Sequence, residues 1–238
     1  MKPTEIKACL FDVFGTVVDW RGSATRDLED FAQQKGIRGI DWLEFAVEWR
    51  KLYQPSMEEV RSGRRAFTIL DVLHRESLVT LVERYRIEGL SQADIDHMSR
   101  AWHRLDPWPD VREGLERLKR GRIIAPCSNG NIALMVNLAK HAGLPWDCIL
   151  GAETARAYKP MPEAYLASCR QLGLPPAAVM MVAAHNKDLK AAKAQGLATA
   201  FVARPNEHGP GQTSDLAPDW SCVDLAPVDF VELAEKLG

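Results

Sequence analysis

The feature that most restricts the fold is a regular alternation of helical and apolar strand segments after residue 106. Helical spacing in residues 111–121 is followed by a short apolar segment, and this order recurs to residue 204. Such alternation is typical of a parallel sheet with helices on both faces. The apolar segment 6–11, which ends at Gly15-Thr16, is predicted to be a further buried strand of the same sheet.

Residues 17–105 interrupt this pattern, because they show helical spacing and no strand signal. One helix is predicted from Ser23, as its N-cap, to Gly36, a second begins near Trp42, and two more lie within 67–85 and 91–103. Residues 106–111, DPWPDV, form a proline-rich hinge. We therefore predict an α/β core of residues 1–16 and 106–238 with an inserted helical domain of residues 17–105.

Composition excludes several classes of partner. A formal net charge of -2 gives no basic face for nucleic acid. No apolar run reaches the length of a membrane span, and the N-terminal segment has no signal-peptide core. The five scattered cysteines form no C-x-x-C pair, which favours reduced thiols in a cytoplasmic protein over a metal site.

Polar side chains follow the predicted strands at the point where each strand ends. In an open parallel sheet these strand ends converge on one crevice, so we expect the polar groups to form a site. They are Asp12 after the first strand, Ser128 and Asn129 after the second, Lys159 in the next loop, and His185, Asn186 and Asp188 after the last motif strand.

The ordered set of motifs resembles the haloacid dehalogenase superfamily, and more closely its L-2-haloacid dehalogenase branch. The matching segments are DVFGT (12–16), WR (49–50), CSNG (127–130), YKPMPEAY (158–165) and VAAHNKDL (182–189). The resemblance implies a Rossmann-like parallel core with a helical cap. It also implies an (S)-2-haloacid dehalogenase that needs neither metal nor cofactor, and relatives of this kind are commonly homodimers.

The resemblance implies a covalent mechanism that converts 2-haloalkanoic acids to 2-hydroxy acids. Asp12 would displace the halide and form an ester, which water then hydrolyses. Lys159 would keep Asp12 ionised and balance the substrate's carboxylate, while Thr16 would hydrogen-bond Asp12. Asp188 would bind Lys159 or activate the water, and His185, where many relatives carry Asn, could orient or activate it.

The substrate would be bound by side chains from both parts of the chain. Ser128 and Asn129 would bind the substrate carboxylate, and Arg50 would receive the halide when the cap closes. Arg50 could also be a surface or interface ion pair, and Tyr165 could be a core tyrosine rather than part of the network. The predicted substrate-binding residues are Ser128, Asn129, Arg50, Phe14, Tyr165 and Asn186.

Phe14 distinguishes the predicted dehalogenase from a phosphatase of the same superfamily. Phosphatases of the superfamily use a second Asp two residues after the nucleophile to protonate an alkoxide, whereas a halide leaves without a proton. The loop around Asp188 has no second carboxylate for Mg²⁺. A Mg²⁺-dependent phosphatase and a non-catalytic relative that binds small carboxylates remain the alternatives.

An aromatic stripe at helical spacing has two possible roles. Trp42, Phe45, Trp49, Leu52 and Tyr53 recur on one face of the second predicted helix. We expect this stripe to be either the core of the cap or a contact between subunits.

Overall fold

A computed structural model describes residues 5–238, so residues 1–4 of the predicted core lie outside the described part. Its main sheet has five parallel strands in the order β5-β4-β1-β6-β7. The predicted α/β fold is confirmed. The strands are β1 (Ala8–Phe11), β2 (Val18–Asp19), β3 (Asp106–Pro107), β4 (Ile123–Ser128), β5 (Leu150–Gly151), β6 (Val179–Ala183) and β7 (Ala198–Phe201).

The central strand β1 is buried on both faces, as its uninterrupted apolar sequence predicts. Leu10 pairs with Ala125 of β4 and Met181 of β6. Alternate β1 side chains enter two hydrophobic clusters, with Phe11 on one face of the sheet and Leu10 on the other.

Helices cover both faces of the sheet. The face with Phe11 packs against α5 (Val111–Lys119), α6 (Ile132–Ala142) and α10 (Phe230–Leu237). The face with Leu10 packs against α8 (Pro162–Gln171) and α9 (Asn186–Ala194), and the short α7 (Ala152–Ala155) follows β5. Neither α7 nor α10 was predicted from the sequence.

Four helices form the insertion, namely α1 (Trp20–Lys35), α2 (Trp42–Arg61), α3 (Leu70–Arg84) and α4 (Gln92–Ser99), followed by a 3₁₀ turn at Arg100–His103. The predicted Ser23 cap is wrong. The N-cap lies four residues earlier, at Asp19, whose side chain accepts a hydrogen bond from Gly22 N. The predicted stop at Gly36 is confirmed, with a left-handed φ of 71°.

The prediction that no strand lies within residues 17–105 is also wrong. Strands β2 and β3 pair antiparallel, with Val18 opposite Pro107 and Asp19 opposite Asp106. This short ribbon lies where the chain leaves and re-enters the core, at both ends of the predicted insertion.

The aromatic stripe lies inside this chain rather than on its surface. Trp42, Phe45, Trp49 and Tyr53 are all buried, and Trp49 packs edge-on against Trp102 at 5.3 Å between ring centroids. These four aromatic residues of the stripe are therefore core, and Leu52, which is partly buried, packs against this core. Among residues 5–238, no helix is long and apolar enough to cross a membrane.

Candidate active site

Asp12 is the first residue after β1 and lies at the carboxyl edge of the sheet. Its backbone N donates to Val182 O, which extends the pairing with β6 and fixes the carboxylate at the edge. The turn that follows requires Gly15, which has a φ of 89°, and a Cβ there would lie 2.0 Å from Glu207 Oε1.

Three side chains donate hydrogen bonds to the Asp12 carboxylate. Lys159 Nζ donates to Oδ1 at 2.8 Å, and Thr16 Oγ1 donates to Oδ2 at 2.7 Å. His185 Nδ1 lies 3.1 Å from Oδ2. Ala184 N in turn donates to Thr16 Oγ1, so the hydroxyl has a fixed direction. The carboxylate is therefore oriented by groups from three loops.

These contacts favour the ionised form of Asp12. Burial alone would raise the pKa of Asp12, but the Lys159 cation and the His185 hydrogen bond outweigh it and hold that pKa well below its usual range. Burial would likewise lower the pKa of Lys159, and the charges of Asp12 and Asp188 raise it instead. The site therefore holds a buried carboxylate in its anionic form beside an ammonium ion.

Asp188 uses both carboxylate oxygens to position its neighbours. Oδ2 accepts from Lys159 Nζ at 2.5 Å, and Oδ1 accepts from Tyr165 Oη at 2.5 Å. Burial and the negative charge of Asp188 raise the pKa of Tyr165, so its hydroxyl stays a donor. Of the two roles considered for Asp188, this geometry supports binding Lys159 over activating water.

His185 links Asp12 to a residue that the sequence analysis missed. Its Nε2 lies 2.8 Å from Oε2 of Glu207, which is 1% exposed. Trp20 Nε1 donates to Oε1 of the same carboxylate at 3.1 Å. Burial would lower the pKa of His185, but hydrogen bonds to Asp12 and Glu207 raise it to about 10. The imidazole is thus held between two carboxylates.

Arg50 reaches the pocket from the cap. Its guanidinium lies 4.1 Å from the ring centroid of Tyr53, 5.4 Å from that of Trp20 and 5.8 Å from that of Phe14. Its buried Nη1 has no hydrogen-bond partner within residues 5–238. A cation with an unused donor in an aromatic surrounding suits an anion that is weakly hydrated.

Of the predicted substrate-binding residues Ser128, Asn129 and Asn186, Asn129 lines the pocket and the other two do not. Asn129 lines the pocket, where Nδ2 donates to Tyr53 Oη at 3.0 Å and Oδ1 accepts from Lys159 N at 2.8 Å. Ser128 is fully buried and accepts from Gly130 N, so it shapes the turn. Asn186 does not line the pocket, because its side chain holds the loop of residues 215–219.

Most of the polar groups described above border one cavity of about 560 Å³. Its walls come from the core and the cap together. This volume and this position are those expected of a binding site for a small ligand. The residues that line it include Asp12, Phe14, Arg50, Tyr53, Gln54, Asn129, Lys159, Pro160, His185 and Asp188.

The donor set does not fit the Mg²⁺ of a phosphatase. The two carboxylates that follow the motif strands, Asp12 and Asp188, both accept hydrogen bonds from Lys159 Nζ, which lies between them. Mg²⁺ prefers an octahedron of oxygen ligands, and an ammonium group between the pair occupies the space that such a shell would need.

Comparison with known proteins gives a consistent result. The family model described as haloacid dehalogenase-like hydrolase matches residues 6–196. The crystal structure of the defluorinating L-2-haloacid dehalogenase Rha0230 is 48% identical, with a TM-score of 0.94 over 98% of this chain and 95% of that chain. The L-2-haloacid dehalogenase PA0810 is 45% identical, with a TM-score of 0.92 over 98% and 100%. The (S)-2-haloacid dehalogenase 4A of Burkholderia cepacia is 27% identical over 216 residues, which are 90% of this chain and 88% of that protein.

Proposed function

The chain belongs to the haloacid dehalogenase-like hydrolase family, and we propose that it hydrolyses short 2-haloalkanoic acids to 2-hydroxy acids through an ester on Asp12. The observation that carries this proposal is an ionised carboxylate at a strand end in the same pocket as a cap arginine that has an unused donor. A nucleophile and an anion acceptor in one pocket are what a displacement of halide requires.

In the first step, an Asp12 oxygen attacks the carbon that bears the halogen. The carbon–oxygen bond forms as the carbon–halogen bond breaks, and the halide leaves with the bonding electrons. Oδ1 is the better nucleophile, because it accepts one hydrogen bond while Oδ2 accepts two. Arg50 receives the halide, and Phe14, which is 3% exposed, keeps the leaving group away from proton donors.

The substrate carboxylate needs donors and a positive charge at the opposite end. Lys159 supplies the charge, and Asn129 lies beside it on the wall of the pocket. We assign Ser128 an indirect part, in which its hydroxyl fixes the Gly130 turn that carries Asn129. Tyr165 likewise acts through Asp188 rather than on the substrate.

In the second step, His185, after losing its proton to solvent, takes a proton from the water that attacks the carboxyl carbon of Asp12. The ester bond from that carbon to the substrate oxygen then breaks, and the departing alkoxide takes the proton from His185 and leaves as the 2-hydroxy acid. The charge of Asp12 contributes to the high pKa of His185, so ester formation, which removes that charge, lowers this pKa. The imidazole thus becomes a base when the ester must be hydrolysed. Glu207 keeps the ring in place and stabilises the imidazolium that results.

A single turnover in H₂¹⁸O with enzyme in excess tests this route. The first product hydroxyl comes from Asp12 and should be largely unlabelled, while ¹⁸O enters Asp12, as mass spectrometry of the peptide with residues 8–19 would show. Full label in the product hydroxyl would contradict the ester and favour direct attack by water activated by His185. Inversion at the carbon is expected on either route, so only the isotope distinguishes them.

A substrate panel tests the alternatives from the sequence. We expect halide release from C2 and C3 haloacids and no phosphate release from phosphate esters. The relative Rha0230 is described as defluorinating, so fluoroacetate belongs in the panel. Phosphate release that depends on Mg²⁺ would favour a phosphatase, and binding of the haloacid without turnover would favour a non-catalytic relative.

We further propose that residues 17–105 act as a cap on the core of residues 1–16 and 106–238. The β2–β3 ribbon supports this division, because both chain crossings lie in it. Cap and core also meet at the pocket, where Tyr53 accepts from Asn129 and Arg61 donates to Lys159 O at 3.1 Å. The homodimer and the cytoplasmic location remain predictions, to be tested by light scattering and by fractionation.

A further inference from the structure

We propose that His185, Glu207 and His208 form a binding site for a transition-metal ion at the edge of the pocket, and that this ion inhibits the enzyme. One ligand atom from each of the three lies within 4.8 Å of the other two. Two imidazoles and one carboxylate suit Zn²⁺, Ni²⁺ or Cu²⁺, while Mg²⁺ prefers oxygen ligands alone.

The distances fit a metal ion with small movements of the side chains. His185 Nε2 lies 2.8 Å from Glu207 Oε2, and His208 Nε2 lies 3.6 Å from Glu207 Oε1. Zinc–ligand bonds of about 2.1 Å place neighbouring ligand atoms roughly 3.0 to 3.6 Å apart. His208 is 43% exposed in its side chain, so it can adjust its position.

The surrounding contacts are those that orient metal ligands in other proteins. A ligating histidine usually donates its second ring N–H to a carboxylate, and His185 Nδ1 lies 3.1 Å from Asp12 Oδ2. With Nδ1 protonated and the proton of Nε2 displaced by the ion, the lone pair of Nε2 binds the metal. Trp20 Nε1 fixes the buried carboxylate of Glu207 in the same way. Two of the three ligands are therefore already held in position.

The inhibitory effect rests on the proposed function, whereas binding of the ion does not. A metal ion bound between His185 Nε2 and Glu207 occupies one ring nitrogen while Nδ1 carries the proton, so the ring cannot accept the proton of the hydrolytic water. Turnover should then stop although the rest of the pocket is unchanged.

Metal binding is measured directly on the purified full chain. Isothermal titration with Zn²⁺ and visible absorption of added Co²⁺ should show one ion per chain with nitrogen and oxygen ligands. In His208→Gln the affinity for the metal should fall by at least about 100-fold. Removal of a residue that only orients a metal ligand already lowers the affinity by about 10- to 100-fold. His141→Gln is the matched control, because His141 is an exposed histidine that lies outside the pocket and is paired with Asp106.

Equal affinity in wild type and His208→Gln would overturn the site, as would an intense near-ultraviolet band of a Co²⁺–thiolate complex.

Halide release without added metal should be the same in both proteins. Zn²⁺ should inhibit wild type at far lower concentrations than the variant, and EDTA should reverse the inhibition. If Zn²⁺ binds through His208 without inhibiting, the metal site stands and the role of His185 in ester hydrolysis is overturned. If the protein releases no halide at all, the titrations alone still decide the metal site.

Discussion

His74 makes the stability of the protein depend on pH in a calculable way. Its ring stacks on Trp102 at 4.8 Å between centroids and lies 6.0 Å from that of Tyr53. Neither ring nitrogen has a hydrogen-bond partner within residues 5–238. Burial lowers the pKa of His74 to about 3, Asp71 acts in the opposite direction, and Arg50 and His103 lower it further.

The sign follows from the two states of the histidine. An unfolded histidine has a pKa of about 6.5, so the unfolded chain binds this proton first as the pH falls. The stability that neutral His74 contributes is complete above about pH 6.5 and is lost as the pH falls toward about 3. Between about pH 7.5 and about pH 5 the loss amounts to about 2 kcal/mol.

The test compares His74→Leu, which removes the titration and keeps the site apolar, with wild type in urea unfolding at both pH values. The free energy of unfolding of wild type should fall by about 2 kcal/mol more than that of the variant. This corresponds to a difference of roughly 4–8 °C in Tm, and His141→Gln, at an exposed histidine, should behave as wild type. Equal pH dependence in wild type and His74→Leu would refute the reasoning, whatever the stability of the variant at neutral pH.

Three further predictions concern the reaction. Asp12→Asn should abolish halide release without changing the circular dichroism spectrum, because an amide cannot form the ester; wild-type activity with deamidation excluded would end the assignment. Activity should survive EDTA, because Lys159 lies between the two carboxylates that Mg²⁺ would need; loss of activity restored by Mg²⁺ would favour a phosphatase. Arg50→Lys should lower kcat/KM by about 10- to 100-fold, which corresponds to the loss of one charge-assisted hydrogen bond. The exposed control Arg26→Lys should leave kcat/KM unchanged, and the same result for Arg50→Lys would show that Arg50 does not bind the halide.

The sequence predicted the sheet and the position of Asp12 because both depend on local patterns. Uninterrupted apolar segments specify buried strands, and a parallel sheet brings their carboxyl ends to one edge. The start of α1 was misplaced because Ser23 and Asp19 are both good N-caps, and only the structure shows Ser23 Oγ bonded to Asp106 N. That contact joins residues far apart in the sequence, which no local pattern reveals.

Glu207 could not be predicted for the same physical reason. It lies within residues 206–221, which have no periodicity, and its burial depends on Trp20 from the cap and Gly15 from the first loop. An isolated glutamate in an irregular segment is normally exposed, so composition argued against it. One indirect indication in the sequence was His185 itself. A histidine beside a carboxylate has a second ring nitrogen, and a partner for that nitrogen would fix its orientation.

That partner explains how His185 is held at a position where the resemblance leads us to expect Asn. An imidazole beside Asp12 alone would keep one ring nitrogen without a fixed partner, and the ring could rotate away. Glu207 removes this freedom, because it binds Nε2 while Asp12 binds Nδ1. The two carboxylates also raise the pKa of His185, and only one of them loses its charge when the ester forms. In the proposed mechanism, His185 thus couples the protonation state of the base to the chemical state of the nucleophile, which a neutral Asn side chain cannot do.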